Sequence, residues 1–170
     1  MVTANRNALL IRKATASDAE TILAGIRMIG DHLGTPHKIS ATAEDFRRYG
    51  FGPSPAFEVL IAEIDSAFAG LCLYFASFST WRGKPGAYIQ DLVVDTAFRG
   101  TGVAEALLRQ TARHVRDKGG VYLRLSVDAE NLTARHFYER VGLLHQPEEH
   151  IHAIYGDAFD ALAGLDESGV

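Results

Sequence analysis

The chain is poor in residues that cross-link, break or anchor. Of its 170 residues one is cysteine, Cys72, so no disulfide can form within it, and a reducing compartment is the default expectation. No run of 18 apolar residues occurs, which argues against a membrane-spanning helix and a membrane partner. The opening stretch MVTANRNALLIRKA has no long apolar segment followed by a cleavage site. It does not read as a secretory signal, and the expected location is the cytoplasm. Basic residues are not in excess: 17 Lys and Arg against 21 Asp and Glu give a net charge of −4. That balance disfavours nucleic acid as a partner and is compatible with a small cationic substrate. His150 and His152 fall on one face of HIHAIYG, yet no third ligand stands at metal spacing, so no metal is expected. There is no internal repeat. What remains is 47% hydrophobic and 22% charged, the composition of an ordinary globular chain. Its length suits a single domain over 1–170.

Periodicity orders the elements. ALLIRKA (8–14) reads as a strand and SDAETILAGIRMIGDHL (17–33) as a helix. Ser17 with Glu20 fits a capping box there, and Ile22, Leu23, Ile26 and Ile29 recur at helical spacing. A short helix is expected over 41–51, stopped by GPSP (52–55). Residues 56–64 and 67–79 read as two strands about a tight turn at Asp65–Ser66. A loop, TWRGKPG (80–86), leads to a strand over 87–95, central by its apolar character. Thr101 to Lys118 forms an amphipathic helix, with Ala104, Leu107, Leu108, Thr111, Ala112 and Val115 on one face and a Glu105–Arg109 pair outside. Gly119 and Gly120 end it. A strand over 121–127, a helix over 131–142 and a last strand over 150–156 follow. The tail, 157–170, is a short helix or frayed. The fold class is α/β layered with a mixed sheet.

The junction DTAFRGTGVAEALLRQ (95–110) joins a strand to a helix through an arginine and two glycines. Such a turn gathers backbone N–H groups at the positive end of a helix, glycine lets an anion come close, and Arg99 adds a charged donor. A phosphate cradle is one reading. A turn that merely needs glycine is the other. The turn is not a Walker loop, since Val103 and Ala104 follow Gly102 where Lys-Ser or Lys-Thr is required. It is a poor dinucleotide fingerprint, since Glu105 stands at the third glycine position.

RGTGVA, from Arg99 to Ala104, resembles the R/Q-x-x-G-x-G/A signature of the GNAT acetyltransferases. NLTARHFYERVGL (131–143) is similar to that family's second signature, N-x-x-A-x-x-F-Y-x-x-x-G-F. FASFSTWRGKPGAYIQDLVV (75–94) resembles, more narrowly, the segment of diamine and polyamine acetyltransferases in which STW and Y-[IL]-E-D-L recur. The resemblance implies a GNAT fold with a core of about 8–156. That fold is a mixed, mostly antiparallel sheet of six to seven strands flanked by about four helices. It also implies acetyl-CoA as cosubstrate, a small amine as acceptor, direct acetyl transfer in a ternary complex, and a homodimer.

Carried over by position, the resemblance implies that Arg99, Gly100, Thr101, Gly102, Val103 and Ala104 hold the pyrophosphate. The edge at Leu92, Val93 and Val94 holds the pantetheine arm as an added strand would, and an amide near Val93 steadies the developing oxyanion. Asn131 touches the pantetheine, or is simply a helix N-cap. Tyr138 is the acid that protonates the departing thiolate. It lies about 100° round from Phe137, off the stripe of Ala134, Phe137 and Val141. The relatives place a glutamate base where this chain has Gln90, and an amide accepts no proton near neutrality. Either Gln90 orients a water, or another carboxylate such as Asp91 or Glu63 substitutes, or the amine has a low pKa. Strand alternation sends Asp91 to the face opposite Gln90, where it binds the cationic end of the substrate or is structural. Trp81, with Arg82 beside it, is a substrate contact or a surface plug. Cys72 reads as a small buried apolar residue. Two further functions fit the motifs: acetylation of a protein N-terminus or lysine, and non-catalytic binding of acyl-CoA, which the missing glutamate favours.

Overall fold

The computed structural model describes residues 8–164. Five strands, β1 (Leu9–Lys13), β2 (Glu58–Ile64), β3 (Ala67–Ser79), β4 (Lys84–Val94) and β5 (Leu123–Leu125), lie side by side in chain order. The first four are antiparallel neighbours, and β5 runs parallel to β4. Consecutive antiparallel strands need only short turns. The β2–β3 turn is the two residues Asp65 and Ser66, both at positive φ (51° and 68°), the conformation that matches the twist of a tight hairpin. The β4–β5 step, being parallel, needs a crossover. It is α3 (Val103–Asp117).

Helices cover both faces. On one, α1 (Ala19–His32) and α2 (Ala43–Phe51) pack Ile22 with Val59, Ile61, Leu71, Leu73 and Val93. On the other, Val103, Leu107, Leu108 and Val115 of α3 meet Leu60, Cys72, Tyr74 and Ile89. Of the expected apolar face of α3, Leu107, Leu108, Thr111 and Val115 are buried and Ala104 is half-buried, whereas Ala112 is exposed and Val103 is buried in addition. Thr111 Oγ1 donates to the Leu107 carbonyl at 2.9 Å. Glu105 and Arg109 pair on the outside at 2.6 Å. α4 (Leu132–Arg140) lays Phe137, Tyr138 and Val141 against the α3-side core.

Three expectations are corrected. The capping pair before α1 is Thr15 with Asp18, not Ser17 with Glu20. A single 3-10 turn (Ala16–Asp18) precedes the helix, and the Thr15 N–H donates to Asp18 Oδ2 at 2.7 Å. Arg12 selects this register by bridging Asp18 and Glu63, each at 2.8 Å. Second, residues 150–156 form no strand. Ile151 and Tyr155 stand 74% and 81% exposed, and α5 (Gly156–Leu162) starts where the strand should end. Alternation supplies a strand's side chains but not a ladder partner, and β5 is only three residues long. Third, the sheet therefore has five strands rather than six or seven, and α5 makes five helices among the described residues. Of the tail, 165–170 lies outside those residues.

Leu107 is 0% exposed at the centre of the α3-side core. Leu107→Ala should lower unfolding free energy by about 2–5 kcal/mol, measured by urea denaturation at an unchanged m-value.

Candidate active site

The centre of the molecule is a place where two strands stop pairing. β4 and β5 match only at Ala87–Leu123, Tyr88–Arg124 and Ile89–Leu125. Beyond Ile89, β4 keeps its β3 partners, with Leu92 opposite Cys72, Val93 opposite Leu71 and Val94 opposite Gly70. Among the described residues no strand lies beside its other edge there. The Asp95 N–H donates to Ala69 O on β3 at 3.0 Å. By alternation the backbone of Val93 also faces β3, and the open edge presents the N–H and C=O groups of Leu92 and Val94. An extended ligand arm can add to that edge as a strand does.

A bulge sets what faces this edge. Tyr74 pairs with Ile89 and Leu73 with Asp91, which leaves Gln90 as the extra residue. The insertion changes the phase of the strand. Ile89 and Leu92, three apart, both join the α3-side core, so Gln90 and Asp91 between them share the α1–α2 face. The expected opposition of the two is thereby corrected: simple alternation does not survive an inserted residue. Gln90 is exposed and Asp91 half-buried. Burial alone pushes the Asp91 carboxyl up to about 6. Glu63, the other carboxylate considered, is held by Arg12 through two hydrogen bonds of 3.1 and 2.8 Å.

Past β4 the chain makes one 3-10 turn, Thr96–Phe98, capped by Asp95, whose Oδ1 accepts from the Ala97 N–H at 2.8 Å. Arg99 follows, exposed, with its Nε 3.5 Å from the Val94 carbonyl. Gly100 and Gly102 then take φ of 77° and 90°, the left-handed region that other residues enter only with strain. Gly102 is the N-cap of α3 and supplies no side chain to it. The first amides of a 15-residue helix are thus free. A Cβ at either glycine would meet nothing within 4 Å, so the turn is open on that side. Thr101 is tied back through Oγ1 to Phe98 O at 2.6 Å. Free N–H groups, the helix dipole and Arg99 together make a cradle that fits a pyrophosphate.

Tyr138 on α4 packs against the α3-side core. Its hydroxyl is pushed up to about 12, first by burial and then by the nearby Cys72 and Asp91. It is a protonated phenol at neutral pH, able to give a proton but not to take one. Cys72, fully buried, is likewise pushed up to about 12 by burial and stays a neutral thiol. Asn131 is the N-cap of α4, its Oδ1 accepting from Ala134 N–H at 3.0 Å. Trp81 is 100% exposed in the β3–β4 loop. Seven residues of strand separate Lys84 from Asp91, roughly 23 Å at 3.3 Å per residue, so the fold does not bring Trp81 to the bulge. Trp81 and Tyr138 instead line one broad cleft of about 1900 Å³ along β5 and α4. A smaller cavity of about 360 Å³ lies between the end of α1 and the β5–α4 loop, lined by His32, Leu33, Asp128, Glu130 and Asn131. Only Asn131 among these was a sequence candidate; an exposed helix-terminal histidine carries no sequence signal. Among the described residues no three metal-ligating side chains gather.

The sequence profile of the acetyltransferase (GNAT) family matches residues 27–143. A thialysine N-epsilon-acetyltransferase from Bos taurus is 32% identical over 167 residues, spanning 92% of this chain and 98% of the relative. An L-ornithine N5-acetyltransferase from Arabidopsis thaliana is 28% identical over 130 residues, spanning 76% of this chain and 54% of the relative. In fold, this chain is similar to an aminoglycoside acetyltransferase from an uncultured soil metagenomic sample. The TM-score is 0.73 at 22% identity, over 89% of this chain and 97% of that one.

Gly102→Val should weaken CoA at least tenfold in calorimetric titration, because a branched side chain at φ 90° strains the turn and screens the free amides. An unchanged far-UV spectrum will show that the fold persists.

Proposed function

Because the chain belongs to the acetyltransferase (GNAT) family, we propose that it moves an acetyl group from acetyl-CoA to a small primary amine. The acceptor is a diamine or an amino acid with a side-chain amine, attacked directly in a ternary complex. The observation that carries this is that the open edge of β4, the uncapped start of α3 and Tyr138 belong to one packed cluster, through Leu92, Val94, Val103 and Tyr138. The names of the thialysine and ornithine relatives support the acceptor class.

Each residue has a task. The amides of Gly100, Gly102, Val103 and Ala104, with Arg99, hold the pyrophosphate, while the Thr101 N–H donates to the Phe98 carbonyl. Leu92 and Val94 offer their edge N–H and C=O groups to the pantetheine arm, with Val93 between them packing its side chain into the α1–α2 core. Asn131 presents the N-terminus of α4 beside the same gap. Acetyl-CoA supplies an activated thioester and a thiolate leaving group. An edge N–H aimed at the thioester oxygen is worth about 3 kcal/mol. Tyr138 donates its phenolic proton to the departing sulfur. An alkyl ammonium with a pKa of about 10.4 is neutral in only about one molecule per thousand at pH 7.4, and reaching the neutral form costs about 4 kcal/mol. Gln90 holds a water or the ammonium in line but takes up no proton. Asp91, on the same face, meets the positive charge.

The wider setting we propose is one domain over 1–170, in the cytoplasm, as a homodimer. The exposed apolar side chains Ile151, Tyr155, Phe159 and Leu162 support the dimer. The absence of glutamate at Gln90 favours a second reading, a non-catalytic acyl-CoA binder. A panel of amines with thiol detection separates the two: turnover with any of them supports the enzyme, and CoA binding without thiol release supports the binder. Tyr138→Phe should cut kcat by roughly 10²–10⁴ and leave CoA affinity within about twofold, compared by steady-state kinetics and calorimetry. Parallel loss of both would make the tyrosine a packing residue.

A further inference from the structure

The activity read above leaves the proton of the amine without an acceptor, since Gln90 is an amide. The fold provides a carboxylate beside it. Without the inserted residue, Asp91 would turn into the α3-side core among Ile89 and Leu107; with it, Asp91 comes round to the face of Gln90 at the mouth of the open edge. Among the described residues no side chain donates a hydrogen bond to it or pairs with it, and burial raises its proton affinity. Glu63 is by contrast held by Arg12, Asp95 by the Ala97 N–H, and Asp128 by the Glu130 N–H at 2.8 Å. A half-buried carboxylate with no partner is costly. An ammonium placed for acetyl transfer would supply the partner it lacks.

Resting on the acetyltransferase reading, we propose that Asp91 is the catalytic base of this chain, receiving the ammonium proton at the β4 bulge while Gln90 positions the nitrogen. An N–H bond of the ammonium breaks and its proton passes to an Asp91 oxygen. The freed lone pair forms the N–C bond as the C–S bond breaks. The sulfur takes the phenolic proton of Tyr138, and the second nitrogen proton restores the phenol. Asp91 then releases its proton to water, so each cycle yields one amide, one thiol and one proton, with no redox partner.

The titratable groups close enough to feel Asp91 are Cys72 of β3 and Tyr138 of α4, both neutral below about pH 12. From α1, Met28 and Ile29 pack on this face. A carboxyl near 6 is ionised at pH 7.4 and better matched to an ammonium than an ordinary aspartate. The sign for stability follows. The folded value lies above the unfolded 3.8, so the native state binds the extra proton between about pH 4 and 6. The contribution of Asp91 is then most favourable below that window and is lost as pH rises through it.

The test compares wild type with Asp91→Asn on two acceptors, an alkyl diamine and a fluorinated alkyl amine already neutral at pH 7.4. The expected result is a 10²–10⁴-fold fall in kcat on the diamine and a loss below about tenfold on the neutral amine. Calorimetric CoA affinity should hold, and any rise in KM for the diamine should be smaller than the fall in kcat. Independently of activity, the wild type should lose stability between about pH 4 and 6 in denaturant titrations, and Asp91→Asn should not. Equal losses on both amines, a raised KM with kcat kept, or an unchanged kcat on the diamine would overturn the base. A wild type that releases no thiol with any amine overturns the acetyltransferase reading itself, and the base with it; an active wild type beside an indifferent Asp91→Asn overturns the base alone.

Discussion

β4 and β5 run together for three residue pairs and then part, and the rest of the molecule is arranged around keeping them apart. An unpaired strand edge in the middle of a sheet is normally closed by another strand, because each bare N–H and C=O seeks a partner. Here the two strands are held at their root. The Tyr88 hydroxyl donates to Ser126 Oγ at 2.6 Å across the pair, and the Tyr122 hydroxyl donates to Ser77 Oγ at 3.0 Å toward β3. Behind the root, α3 fills the space with Leu107, Leu108 and Val115. The bulge at Gln90 adds local twist where the strands diverge. The gap is thus built from packing on either side of it rather than from any residue inside it.

The charges around the gap follow from the same geometry. Cys72 and Tyr138 are drawn into a low-dielectric core and keep their protons. The cradle at Gly100 and Gly102 faces open space and offers only backbone dipoles and Arg99. Asp91 sits between these regimes, half-buried and without a side-chain partner among the described residues. A site with positive backbone dipoles at one end, a neutral acid at the core and a lone carboxylate on the acceptor face is suited to an anionic carrier and a cationic acceptor.

Much of this was legible from residue order. The four antiparallel strands, the Asp65–Ser66 turn, the buried face of α3 and the glycine junction all follow from local rules, because each depends on neighbours within a turn or a hairpin. The errors came where a distant partner decides. Ser17 and Glu20 satisfy the spacing of a capping box, but Thr15 and Asp18 form it, because Arg12 from β1 holds Asp18 in place. HIHAIYG alternates as a strand does, yet no described strand accepts it. Alternation placed Asp91 opposite Gln90, and the bulge overruled it, since register belongs to the pairing with β3 and not to β4 alone.

The sequence by itself determined the order of elements, the anion-ready turn and the identity of the phenol, since backbone preference, helix amphipathicity and side-chain chemistry are local properties. Tertiary structure decided that Asp91 is half-buried beside the gap, which backbone groups face the gap and how many strands the sheet has. Those outcomes depend on register, burial and ion pairing between segments as far apart in the chain as Arg12 and Glu63. Such contacts exist only once the chain has folded.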